Sequence, residues 1–208
     1  MEYTDFSSLH LDAIREIVNI GAGNAATALS DMLGQSIDMG VPNADIVSIY
    51  DVSEYFGSPE KFAAAIYTHG EGAFPCNLIF IQDEEMIQKL VDAVFMARMN
   101  TTGREFPEEM RDSCLAELGN IVLSSFLNAV SGMIGADPIS ISVPGVAHDM
   151  LGAILQFVAV IFAQTGEHAL LMNTTLQLDG VDSKLKGNIM IVPEPGALEI
   201  LLSKLGVL

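Results

Sequence analysis

Residues 12–19 read Asp-Ala-Ile-Arg-Glu-Ile-Val-Asn, and 101 positions further on residues 113–120 read Ser-Cys-Leu-Ala-Glu-Leu-Gly-Asn. Each stretch runs into a long series of small and apolar residues and then a valine-proline pair, Val41-Pro42 and Val143-Pro144. At about 100° per residue, Asp12, Glu16, Asn19 and Gly23 fall within an arc of roughly 60° on a helix, and Ser113, Glu117, Asn120 and Ser124 do the same. The opposite side carries Ile14, Ile17, Val18, Ala25, Ala28 and Met32 in one copy, and Leu115, Leu118, Val122, Phe126, Ala129 and Met133 in the other. Those stripes face a core, so the polar stripes face solvent. A lone Glu and Asn on an exposed helix are ordinary surface. Their recurrence at matching places points to a duplicated unit that keeps a functional face.

Small residues extend the argument. Gly21 and Gly23 inside a helix each cost about 1 kcal/mol relative to alanine. A helix retains them where another helix or a docking partner approaches its backbone closely.

The pattern predicts a helix over 8–34, with Asp12 as an early polar stop and the segment from Gly34 ending it. Alternating residues rich in Ile, Val, Phe and Tyr predict strands over 36–49 and 61–82, the latter folded at Gly70-Glu-Gly72. Asp83 opens a helix to about residue 98, and Pro107 starts the next one after the linker-like residues 100–106. The order then recurs: helix 107–135, strand 138–146, helix 149–163, strand 167–178, a turn at Gly180 and Asp182, strand 184–192, and a last helix opened by Pro195. Each half, 8–99 and 107–207, is helix, strand, short or long helix, two strands, helix. A half alone has too few strands to bury its own face. The expected fold is α/β, layered: one pseudo-two-fold domain over residues 1–208 whose halves share a sheet, with the motif-bearing helices on one face.

Composition bounds the function. Half of the 208 residues are apolar, enough for a sizeable core, and 27 acidic against nine basic residues leave a net charge of −18. Nucleic acid is excluded as a partner, because its phosphates call for clustered Lys and Arg. Cys76 and Cys114 have no metal-ligand spacing and form no disulfide framework. Cys114 beside the second triplet invites a nucleophile reading, but Ala13 holds that place in the first triplet, so a shared mechanism does not need a thiol. The histidines at 10, 69, 148 and 168 form no visible metal pair. The start of the chain lacks a signal-peptide pattern, and the most lipophilic run, 151–163, is shorter than the roughly 20 residues that span a bilayer. A cytoplasmic protein without membrane insertion is expected.

The duplicated motif resembles that of the CheC family of chemotaxis phosphatases: Asp or Ser, three residues, Glu, two residues, Asn, then a proline. Asp12, Glu16, Asn19 and Pro42 match with 22 residues before the proline, and Ser113, Glu117, Asn120 and Pro144 match with 23. The phrase Asn19-Ile-Gly-Ala-Gly-Asn-Ala-Ala-Thr-Ala-Leu-Ser30 is similar to the family's first helix, and two copies in one chain fit the plain CheC form. The resemblance implies hydrolysis of the aspartyl phosphate on the response regulator CheY. Asn19 and Asn120 would orient the attacking water, and Glu16 and Glu117 would pair with the regulator's lysine. Asp12, Ser113, Pro42 and Pro144 would support the two sites. The chain would hold no metal or cofactor of its own, since Mg²⁺ arrives on the regulator. The family also binds the receptor deamidase CheD, for which Asp149, Gly152, Ala153 and Phe157 on the apolar helix are the candidate contacts; core burial is the competing reading of that helix.

Two other readings stand beside this one. A regulatory module would dock the same partners without turnover. A sugar hydrolase would use Glu16 and Glu117 as an acid–base pair across one bond, ~5–10 Å apart, whereas each glutamate here has its own copy of the whole motif.

Overall fold

The computed structural model describes residues 7–99, 106–162, 168–178 and 185–207. Helix α1 (Ser8–Leu33) starts at Ser7, whose Oγ accepts from the His10 backbone N–H while the Ser7 N–H donates to His10 Nδ1. This reciprocal cap, not Asp12, opens the helix. Asp12 lies inside α1, ion-paired with Arg15 at 3.4 Å. Gly34, with φ of 64°, closes the helix in the left-handed region that favours glycine.

Strand β1 (Ile37–Ser48) follows, then a single 3₁₀ turn over Val52–Tyr55. Strands β2 (Phe62–Glu71) and β3 (Cys76–Asp83) form a hairpin. Its turn falls after Glu71, where Gly72 has φ of 126°, and so lies two residues beyond the expected one. Asp83 accepts from the Met86 N–H at 2.9 Å and caps α2 (Glu84–Met99). The second half runs α3 (Glu108–Met133), β4 (Ser140–Ile141), β5 (Gly145–Met150), α4 (Leu151–Phe162), β6 (His168–Leu178), β7 (Leu185–Pro193) and α5 (Ala197–Lys204). The expected strand 138–146 is thus broken in two, and Asp149 belongs to β5 rather than to a helix. Pro195 precedes the last helix, which follows Gly196. The turn expected at Gly180 and Asp182 lies outside the described residues.

All strand pairs are antiparallel, in the order β1-β6-β7-β3-β2, with β4 and β5 both on the far side of β2. Exchanging the halves leaves this order unchanged. The hairpins β2-β3 and β6-β7 meet at the centre, and each half's first strand sits on the other half's hairpin. The two edges carry the two prolines: Pro42 falls in the register shift of β1 between Gly40 and Asn43, and Pro144 falls in the gap between β4 and β5. Proline donates no ladder hydrogen bond, which confines it to edges and irregularities of a sheet.

Two cores flank the sheet. The larger lies under α1, α2, α3 and α5 and includes Ile14, Leu29, Leu118, Phe126 and Leu201. The smaller lies under α4 and the 3₁₀ turn and includes Val52, Ile81, Leu155 and Val158. Ala28 and Met32 are only half-buried and Met133 is exposed, so the apolar stripes narrow toward the C-terminal ends of α1 and α3. By length and composition α3 is apolar enough to cross a membrane, yet 61% of that window is buried inside the fold.

Candidate functional site

The two motif helices pack side by side on one face of the sheet. Gly21 makes this possible, since a Cβ there would stand 2.6 Å from Phe126 Cδ1. Gly119 plays the same part between α3 and the sheet, where a Cβ would drive into Ile66. Gly23 differs, because nothing lies within 4 Å of where its Cβ would be. The two uses foreseen for glycine therefore separate: Gly21 serves packing within the molecule, and Gly23 leaves bare backbone on the exposed stripe.

On α1 the side chains of Asp12, Glu16 and Asn19 are all exposed, one helical turn apart, and continue to Gly23. On α3, Ser113 and Glu117 are exposed and Asn120 is half-buried. Among the described residues, no hydrogen bond or ion pair engages the side chains of Glu16, Asn19, Glu117 or Asn120. The supporting positions are engaged. Asp12 pairs with Arg15, and Ser113 Oγ donates to the Glu109 carbonyl at 2.8 Å. Each face thus presents one carboxylate and one carboxamide whose hydrogen-bonding capacity is unspent within the chain.

Pro42 is exposed and Pro144 half-buried, each at a break in an edge strand. The extra residue before Pro144 has a structural counterpart: β1 absorbs its proline as a bulge, whereas the second strand splits into β4 and β5. An unforeseen contact ties that edge to the second face. His148 Nε2 of β5 lies 2.8 Å from Asp112 Oδ1 of α3, immediately before Ser113. These residues stand 36 apart in the chain and follow no motif.

The thiols are passive. Burial pushes Cys76 up to about 12, helped by the negative charge of Glu194. Burial also raises Cys114 to about 11, with Arg98 opposing and Glu117 adding to the rise. Neither supplies a thiolate at neutral pH. Among the described residues, no group of three or more His, Cys, Asp or Glu is placed to hold a metal ion.

The second candidate surface is α4. Leu151, Ile154, Leu155 and Val158 are buried against the sheet, while Phe157 is 60% and Val160 61% exposed. Gly152 is half-buried against Pro59 and Ala153 is exposed. The helix is therefore core on one side and bare apolar surface on the other. Asp149 is exposed, its carboxylate accepting from the Met150 N–H at 2.7 Å.

A layered α/β protein with one antiparallel sheet and two equivalent carboxylate–carboxamide helix faces is the class that fold and site define. A structure of Thermotoga maritima FliY shares this fold, with a TM-score of 0.74 at 18% identity, covering 97% of this chain and 98% of that one. A model described as the CheC-like family matches residues 9–45, the span of α1 and most of β1. The CheY-P phosphatase CheC of Bacillus subtilis (strain 168) is 31% identical over 201 residues, covering 94% of this chain and 93% of its own length. The flagellar motor switch phosphatase FliY of the same organism is 30% identical over 141 residues, 68% of this chain and 33% of that protein. The chain belongs to the CheC-like family.

Proposed function

We propose that this protein hydrolyses the aspartyl phosphate of the chemotaxis response regulator CheY, using both helix faces. The observation that carries the reading is the pair of solvent-reachable Glu and Asn side chains, unengaged within the chain and repeated on two adjacent helices. Similarity to the B. subtilis CheY-P phosphatase along nearly the whole chain supports the substrate.

Phosphoryl transfer to water depends on positioning and charge stabilisation more than on covalent help. The regulator brings the phosphoryl group, its Mg²⁺ and a lysine. What it lacks is an ordered water. A carboxamide both donates and accepts, so Asn19 or Asn120 can hold a water in line with the P–O bond to the aspartate. Water adds to phosphorus, the aspartyl carboxylate departs, and inorganic phosphate leaves with the water's oxygen. Glu16 and Glu117, a helical turn earlier, pair with the regulator's lysine and set the docking register. Such a pair is worth ~0–1 kcal/mol while exposed and more once an interface desolvates it. Asp12, Ser113, Pro42 and Pro144 hold helix and strand in place around each face.

Phosphate release from labelled CheY-P at fixed Mg²⁺ tests this. Each of Asn19→Ala and Asn120→Ala removes one site's share of turnover. The double variant falls by about 100-fold or more, the scale of a lost positioning contact. Parent-like turnover in the double variant would end the assignment. A module that docks without turnover would instead give the same phosphate release with and without this protein.

The bare side of α4 and the adjoining end of β5 form the proposed docking surface for the deamidase CheD, with Asp149 of β5 and Gly152, Ala153 and Phe157 of α4 in contact. Phe157→Asp is expected to weaken that binding at least tenfold; unchanged affinity in both Phe157→Asp and Asp149→Lys would remove α4 from the interface. This reading places the protein in the cytoplasm, where regulator and deamidase reside.

A further inference from the structure

A cavity of about 240 Å³ opens beside the second polar face. It lies where the end of α2 meets the start of α3. Phe95, Met99 and Met110, with Met32 of α1, form apolar walls, Arg98 of α2 adds one cation, and Cys114 and Glu117 close the side that belongs to the second triplet. Met99 and Met110 are both exposed at its rim.

Size and lining narrow what fits. Small-molecule sites usually run to about 300–1,000 Å³ and converge several polar groups, whereas a cavity of about 150 Å³ already takes a benzene-sized group. The space therefore suits one aromatic or large aliphatic side chain. Methionine walls are polarizable and adaptable, which favours a guest delivered by another protein. The position selects that protein. Glu117 belongs both to the polar face and to the cavity wall, so whatever docks on Glu117 and Asn120 covers the mouth.

We propose that this cavity anchors an apolar side chain of the phosphorylated regulator docked on the second face. The inference rests on the proposed phosphatase reading and adds an apolar hold to the second site. Buried apolar anchors of this kind dominate many interfaces.

Cys114, 9% exposed on the cavity wall, reports occupancy without any need for turnover, because the chain's other cysteine, Cys76, is fully buried. A small thiosulfonate reagent is applied to the full chain at mildly alkaline pH. Cys114 is expected to react measurably in the free protein and at least tenfold more slowly with saturating phosphorylated regulator and Mg²⁺. Protection absent while the regulator is still being dephosphorylated overturns the anchor and leaves the phosphatase reading intact. Protection present without phosphate release keeps the anchor and defeats the phosphatase reading. Protection that grows with this protein's own concentration assigns the cavity to a second copy and overturns the proposal, as does a Cys114 no more reactive than Cys76. Independently, in the Asn19→Ala background, Met99→Glu with Met110→Glu should raise KM about tenfold and leave kcat within about twofold. Met133→Glu, exposed at the other end of α3, is the control; an equal KM rise there would point to charge alone and sink the anchor.

Discussion

Asn19 and Asn120 occupy equivalent places on two helices, yet the first is exposed and the second half-buried. Their identity and spacing were readable from the chain because the triplet recurs. Their unequal burial was not, because it depends on which elements pack alongside each helix. Cys114 shows the same divide. Elimination against Ala13 removed it as a nucleophile, but its place in a cavity wall required three elements to converge. The thiols also yield a prediction in pH. Both Cys76 and Cys114 are raised above the ordinary 9.0, to about 12 and about 11. The unfolded chain therefore releases these protons first as pH rises. Their contribution to stability is complete below about pH 9 and is lost progressively as pH climbs through the folded values. Urea midpoints should hold up to about pH 9 and then fall, and Cys76→Ala should fall less steeply from a lower plateau. An alkaline slope identical in Cys76→Ala and the parent would show that this thiol contributes nothing to it.

At the level of the elements, helix starts and stops followed local chemistry where one residue decides them, as at Asp83 and Gly34. Ser7 was missed as the cap of α1 because its partner is a histidine, outside the usual Glu or Gln of a capping box. The split of the second edge strand was missed because alternation continues straight across Pro144, while a proline breaks the ladder whatever its neighbours. The glycines separate cleanly by mutation. At Gly119 an added methyl meets Ile66 with no room, so Gly119→Ala should destabilise by about 1–3 kcal/mol, the usual range for overpacking. At Gly23 the methyl meets nothing, so Gly23→Ala should stabilise by about 0.5–1 kcal/mol through helix propensity alone. Denaturant midpoints of the two variants check both signs. If Gly23 also lets the regulator approach the backbone, its alanine variant gains stability while losing first-site affinity.

For the whole molecule, the exchange of edge strands makes each half depend on the other. β1 leaves the first half to pair with β6, and β4 and β5 leave the second to pair with β2, while β3 and β7 join along the middle. The sequence showed that two halves needed one sheet; it carried no sign of which strand would cross, since partners as far apart as Glu71 and Ser140, or Ile37 and Leu178, leave no local pattern. Interlocking of this kind predicts one cooperative unit, not two beads that melt separately. Leu78 tests it, being fully buried in β3 at the central seam and paired with Ile191 of β7. Leu78→Ala removes buried methyl groups and should cost about 2–5 kcal/mol. Although the change lies in the first half, amide exchange measured under mild urea should lose protection equally in β2 and in β6. Circular dichroism and tyrosine fluorescence should report the same single transition, with Tyr50, Tyr55 and Tyr67 in the first half and no tyrosine in the second. Protection that falls in β2 while β6 keeps the parent value would mean that the halves unfold independently despite the shared sheet, and the interlock would then be geometry without energetic coupling.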